Sequence, residues 1–226
     1  RQVNTMRYDG IFESLLALRD EERAPKMSAY MRNQFPFLGI PTGPRKAAYK
    51  KIFATAKKEK KEKIVDFDFV DQCFKREERE FQYAGVDYLL AIQDCLVPEN
   101  LPKLKQYIQT KSWWDTVDGL DGVVGSIVQR YPECKPILLE WSVADDIWLR
   151  RVAIDHQLGF KSKTDTVLLE EIIKNNLNQK EFFINKAIGW SLRDFSKTNP
   201  DWVRAFISAH KNDLSNLSIR EGSKYV

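Results

Sequence analysis

KSWWDTVDGLDGVVG, Lys111–Gly125, sets two adjacent tryptophans against three aspartates inside one helical pattern. Trp113, Val117, Leu120, Val124 and Ile127 recur at spacings of three and four, which is the period of a helix with one apolar stripe. That reading assigns Trp113 to the core. Ser112 is placed to cap the helix, and Asp115, three residues on, completes a capping box. Trp114 and Asp118 share a neighbouring face, followed by Gly122 and Gly125. Glycine weakens a helix, so its presence on that face implies a close approach by something else. Asp121 has no role in this pattern.

The same kind of opening returns along the chain. REFQYAGVDYL, WLRRVAIDHQL and FFINKAIGWSL each begin a helix that follows another helix-like stretch, and LSIREGSKY reads as a final, imperfect copy. The anchors Phe81, Trp114, Leu149 and Phe183 stand roughly 35 residues apart, within the range of two-helix repeats. Alternating β-branched runs are nearly absent. The intervening segments LGIPTGP, LVPEN, YPECKP, SVADD and KTNPD hold the Pro, Asn and Asp that stop helices. The expected fold is all-α, an α-solenoid of paired helices over residues 1–226 as one domain, with the inner helices lining a concave face. An irregular helical bundle is the competing architecture. The run KKEKKEK, Lys57–Lys63, reads as a solvated helix end or loop.

Composition narrows the function classes. A formal net charge of +4 with 30% charged residues describes a soluble chain that permits a polyanionic partner without demanding one. Three widely separated cysteines suit a reducing, cytoplasmic compartment better than a disulfide framework. With two histidines and no C-x-x-C pair, neither a metal site nor a cofactor is expected. No apolar run reaches the length of a membrane span, and a short N-terminal piece is expected before Arg1.

Two later segments bear on Trp114 and Asp118. In FFINKAIGWSLRDFSKTNPD, Lys186, Trp190, Arg193 and Lys197 fall at successive turns, an aromatic within a basic stripe that suits a phosphate backbone and a sugar or base. A solvated cationic face is the alternative there. Arg151 follows Trp148 by three, and Lys161 and Lys163 sit in the loop beyond. Arg151 has a local option as well, an intrahelical pair with Asp155. Likewise, Asp118 has the plain option of pairing with a cation on the next repeat. Stacked inner helices would bring Trp114, Asp118, Arg151 and Trp190 onto one surface.

MSAYMRNQFPFLGIPT, KSWWDTVD, IWLRRVAI and FFINKAIGWSLRDFSKTNPD, in that order from Met27 to Asp201, resemble the AlkD-like DNA alkylation repair glycosylases. The resemblance implies HEAT-like repeats that wrap double-stranded DNA with a concave basic face, and hydrolytic excision of cationic N3- and N7-alkylated purines. It places the catalytic aspartate on Asp118, two sugar-facing tryptophans on Trp114 and Trp190, and the active-site arginine on Arg151. Tyr30 becomes a candidate DNA-backbone contact. After LGIPT the family pattern Pro-Glu-Arg is replaced by Gly43-Pro44-Arg45, so Arg45 is a candidate contact in an altered loop. No lysine is placed as a Schiff-base nucleophile, which implies a monofunctional hydrolase without strand cleavage; the protein is expected to act as a monomer. A non-catalytic repeat protein that binds DNA or another protein is the rival reading.

Overall fold

The computed structural model describes the backbone of residues 2–59 and 65–226, and the side chains of 8–58 and 65–226. Among these residues the chain is all-α, with thirteen α-helices and no strand. They divide into two compact units, residues 1–96 and 97–226.

The first unit holds α1 (Gln2–Ala17), α2 (Ala24–Tyr30), α3 (Thr42–Glu59), α4 (Phe67–Lys75) and α5 (Arg79–Ala91). Tyr8, Phe12, Phe53, Phe69 and Tyr88 form its aromatic core, with ring centroids 4.9–6.3 Å apart. Tilted and edge-on pairs dominate, as the ring quadrupoles favour. Buried Glu80 pins the LGI loop by accepting N–H groups from Leu38, Gly39 and Ile40 at 2.8, 2.8 and 3.0 Å. Those donors would otherwise be buried unpaired. Gly39 has φ +97, and a Cβ there would meet the Asp20 carbonyl at 2.1 Å, so this position requires glycine. Much of the LGIPT motif therefore has a structural cause. Lys57 and Lys58 end α3 exposed, and residues 60–63 of the lysine run lie outside the described residues.

The second unit holds α6 (Leu101–Ile108), α7 (Trp114–Arg130), α8 (Lys135–Trp141), α9 (Ile147–Asp155), α10 (Thr166–Lys174), α11 (Phe182–Ser196), α12 (Pro200–His210) and α13 (Asn216–Gly222). Its odd-numbered helices stack in series, α7 on α9, α9 on α11 and α11 on α13. Alongside that row, α6 packs on α7, α8 on α9, α10 on α8 and α9, and α12 on α11. This is the repeat topology expected of an α-solenoid. The inner helices α9 and α13 begin near the expected positions because side-chain caps fix them. Asp146 accepts the N–H of Trp148 at 2.8 Å, and Ser215 that of Ser218 at 3.0 Å. Asp165 and Asn199 do the same for the outer helices α10 and α12. Each such cap contributes about 1 kcal/mol.

Equivalent aromatics then align the repeats. Trp113, Trp148 and Phe183, at the starts of α7, α9 and α11, pack with centroids 4.8–5.8 Å apart. Behind them the stripe Val117, Leu120, Val124 and Ile127 is fully buried. A Cβ on Gly125 would lie 2.2 Å from the carbonyl of His156, just after α9. Glycine at that position lets two helices approach, which corrects its assignment to a face awaiting a guest.

The start of α7 also departs from expectation. Trp113, extended at φ −160, occupies the cap position and offers no side-chain cap. The Ser112 hydroxyl donates backwards to the Ile108 carbonyl of α6, so the capping box does not form. Trp113 is half-buried rather than core, and its Nε1 is shielded from solvent without an acceptor.

Candidate active site

The inner row of the second unit carries the candidate residues on three adjacent helices. Asp118 lies one turn after Trp114 in α7, Arg151 lies in α9 and Trp190 in α11. Arg151 is 2% exposed and closes a bidentate pair on Asp118, with Nε to Oδ1 and Nη2 to Oδ2 both at 2.9 Å. Its Nη1 donates to the Phe183 carbonyl at 2.7 Å, which ties the clasp to a third helix. The guanidinium also sits over the rings of Trp190 and Phe183, at 5.2 and 5.8 Å from their centroids. The cation option for Asp118 on the next repeat is thus realised, and the local pair of Arg151 with Asp155 is not.

Such a clasp does two things. A forked donor fixes both carboxylate oxygens, so Asp118 has one orientation. Its side chain remains 24% exposed, against 2% for Arg151, so the carboxylate keeps an edge toward solvent while its partner is sealed beneath. Burial alone disfavours the Arg151 cation, but the hydrogen bonds and charge of Asp118, with Asp155 and Asp121 behind, outweigh it and raise its pKa.

Trp190 is half-buried between two cations, Arg151 and Lys186, with Lys186 Nζ 5.7 Å from its ring centroid. Trp114 is half-buried in the first turn of α7. Asp118, Arg151 and Trp190 thus come together as a fixed carboxylate whose partner lies against an aromatic ring, and Trp114 stands one turn before Asp118 on α7.

The basic stripe is less free than the sequence implies. Glu221 of α13 accepts from Lys186 at 2.8 Å and from Arg193 at 3.0 Å. Those contacts, led by the Lys186 hydrogen bond, hold the Glu221 carboxyl below its ordinary range. Lys197 is exposed, with its ammonium over Tyr225. Lys161 and Lys163 are exposed in a short 3-10 turn after α9, and Lys161 has φ +53, a left-handed conformation strained for a side-chain residue.

In the first unit, Tyr30 ends α2 and is 74% exposed. Arg45 is buried instead. Its Nε donates to the Tyr49 hydroxyl at 3.0 Å, its Nη2 lies 3.5 Å from Asp87, and its guanidinium covers the Tyr83 ring. The departure at Gly43-Pro44-Arg45 therefore accompanies an arginine committed inside the unit, because a buried guanidinium must be paired.

Sequence reasoning missed two residues at the site. Asp121 and Asp155 are 6% and 1% exposed, and with Asp118 they bring carboxylate oxygens within 4.8 Å of one another. The signal was available as spacing, since Asp121 follows Asp118 by three and Asp155 follows Arg151 by four. Burial, then repulsion by Asp155 and Asp118, raises the Asp121 carboxyl well above the ordinary carboxylate range. Asp155 is raised likewise, by burial first and despite Arg151.

The three cysteines are free and buried, and among the described residues no helix is long and apolar enough to cross a membrane. The family of DNA alkylation repair enzymes matches residues 11–226. A solved structure described as a predicted DNA alkylation repair enzyme from Enterococcus faecalis is 39% identical, with TM-score 0.83. The similarity covers 92% of this chain and 96% of that one. No curated protein matches. With nearly its whole length matched, the chain belongs to the DNA alkylation repair enzyme family.

Proposed function

We propose that the protein is a monofunctional DNA glycosylase that hydrolyses the N-glycosidic bond of cationic alkylated purines, such as 3-methyladenine and 7-methylguanine, in duplex DNA. The observation that carries this reading is the part-exposed Asp118 carboxylate, locked by buried Arg151 beside the Trp190 ring. An alkylpurine with a positive ring departs neutral, so no second carboxyl is needed to protonate it, unlike ordinary glycoside hydrolysis. What the reaction needs is negative charge opposite the oxocarbenium-like deoxyribose and a placed water. An oriented Asp118 supplies the first electrostatically and the second as hydrogen-bond acceptor or base. Trp114 and Trp190 add aromatic faces that attract the growing positive charge of the sugar.

Exposed Lys161, Lys163, Lys197 and Tyr30 are assigned to the DNA backbone, with Lys186 and Arg193 joining once released from Glu221. Arg45 is left out because its guanidinium is enclosed. Residues 1–226 act as one catalytic domain, as a monomer, on DNA in the cytoplasm. The direct test is release of free 7-methylguanine and 3-methyladenine from methylated duplex DNA by the purified protein. Binding to that DNA with no base released would favour a non-catalytic repeat protein instead.

A further inference from the structure

Asp118 has two carboxylate neighbours that the reaction above does not use. If Asp118, Asp121 and Asp155 were all ionised, three negative charges would face one guanidinium in a mostly buried cluster. Both oxygens of Asp118 are satisfied by Arg151. Neither oxygen of Asp155 has a hydrogen-bond partner, and both are sealed from solvent. A buried carboxylate without donors is among the costliest states a side chain can adopt, whereas a carboxylic acid carries its own donor and no charge.

The remaining charge balance can be met by cations or by protons. The cation is already present. Arg151 covers both Asp118 oxygens and is anchored at its third nitrogen by the Phe183 carbonyl, so a metal ion would have to share the carboxylate with a fixed guanidinium. Two protons leave the cluster neutral without displacing anything.

We infer that Asp121 and Asp155 are a proton-holding pair, neutral in the working enzyme, that acts as positioning residues for the Asp118–Arg151 clasp. Neutral, they leave Asp118 as the sole ionic partner of Arg151. Ionised, Asp155 becomes a competitor one turn along α9 from Arg151, at the spacing of an intrahelical ion pair. The clasp then loosens and Asp118 loses its fixed orientation. The charged groups facing Asp155 all favour the proton except Arg151. They are Asp118 and Asp121 from α7, and Asp194 from α11. Asp121 faces Asp155, Asp118 and Arg151. Burial and mutual repulsion thus raise both carboxyls, and the pair loses its protons as pH rises through those elevated values.

The pair's role in activity rests on the glycosylase reading, but its protonation does not, so two measurements separate them. Carboxyl carbon NMR of the full chain, assigned with Asp121→Asn and Asp155→Asn, should show both groups protonated at neutral pH. Titration of both in the ordinary carboxylate range would overturn the inference whether or not the protein releases bases. On methylated DNA at neutral pH, Asp155→Asn, neutral like the acid, should keep base release within about threefold of wild type. Wild type is expected to lose rate at alkaline pH as the pair ionises, and Asp155→Asn should weaken that loss. A loss of base release of about tenfold or more in Asp155→Asn, with its melting temperature near that of wild type, would mean that an ionised Asp155 is needed and would sink the proposal. Absence of base release by wild type, with the NMR result as expected, would refute the glycosylase reading and leave the protonated pair standing.

Discussion

Asp118 and Arg151 act as one unit because guanidinium and carboxylate are matched forks. Lysine at position 151 would keep the charge but lose the fork and the bond to Phe183. Arg151→Lys is expected to lower base release by about tenfold or more at unchanged fold, read by single-turnover kinetics beside circular dichroism. The sequence exposed half of this site. Trp114 and Asp118 share a face at helical spacing, so that pair was legible. The choice of Arg151 between Asp155 and Asp118 was not, because it turns on burial. Pairing with Asp155 would place a second full charge 1% exposed, whereas Asp118 keeps an edge in water and is cheaper to hold ionised.

Helix α7 shows how tertiary contacts override local signals. Ser112 is a good cap by residue type, yet the chain reverses at Lys111, φ +49, and turns the hydroxyl toward α6. Gly122 and Gly125 looked alike in sequence, but Gly125 is buried against His156 and Gly122 is exposed. In a free helix Gly125→Ala would gain about 1 kcal/mol from propensity. Here its Cβ would meet a backbone carbonyl that cannot yield, so a net loss of roughly 1–3 kcal/mol is expected in denaturant unfolding. His156 offers a pH test at the same contact. Its Nδ1 bonds the Ala153 carbonyl at 2.6 Å, and burial lowers its pKa to about 4 from 6.5. A depressed histidine stabilises the fold above pH 6.5, and that contribution is lost as pH falls through 4. Set against His156→Gln, the wild-type stability advantage should shrink across that window, by up to about 3 kcal/mol. A difference that stays constant from pH 7 to 4 would show that His156 is not held neutral.

In the second unit the repeat was readable but its register was not, since Trp113, Trp148 and Phe183 meet where the expected anchors were Trp114, Leu149 and Phe183. The state of the basic stripe was not readable, because Glu221 lies one repeat beyond Lys186 and the helical period links neighbours only within a turn or two. DNA affinity should therefore divide its dependence among unequal cations. Lys197→Ala should flatten the log–log salt dependence by about 0.9, the value for one phosphate contact, with little effect on the rate of saturated enzyme. Lys186→Ala removes a cation that is already paired and should flatten it less.

The central claim is that Asp118 performs the chemistry on a scaffold that binds DNA without it. Single-turnover release of 7-methylguanine from methylated duplex DNA, measured for wild type and Asp118→Asn with DNA affinity determined in parallel, tests this directly. Wild type should release the base and leave the strand intact. Asp118→Asn should bind comparably and lose on the order of a hundredfold or more in rate. Release by Asp118→Asn at the wild-type rate would contradict the account.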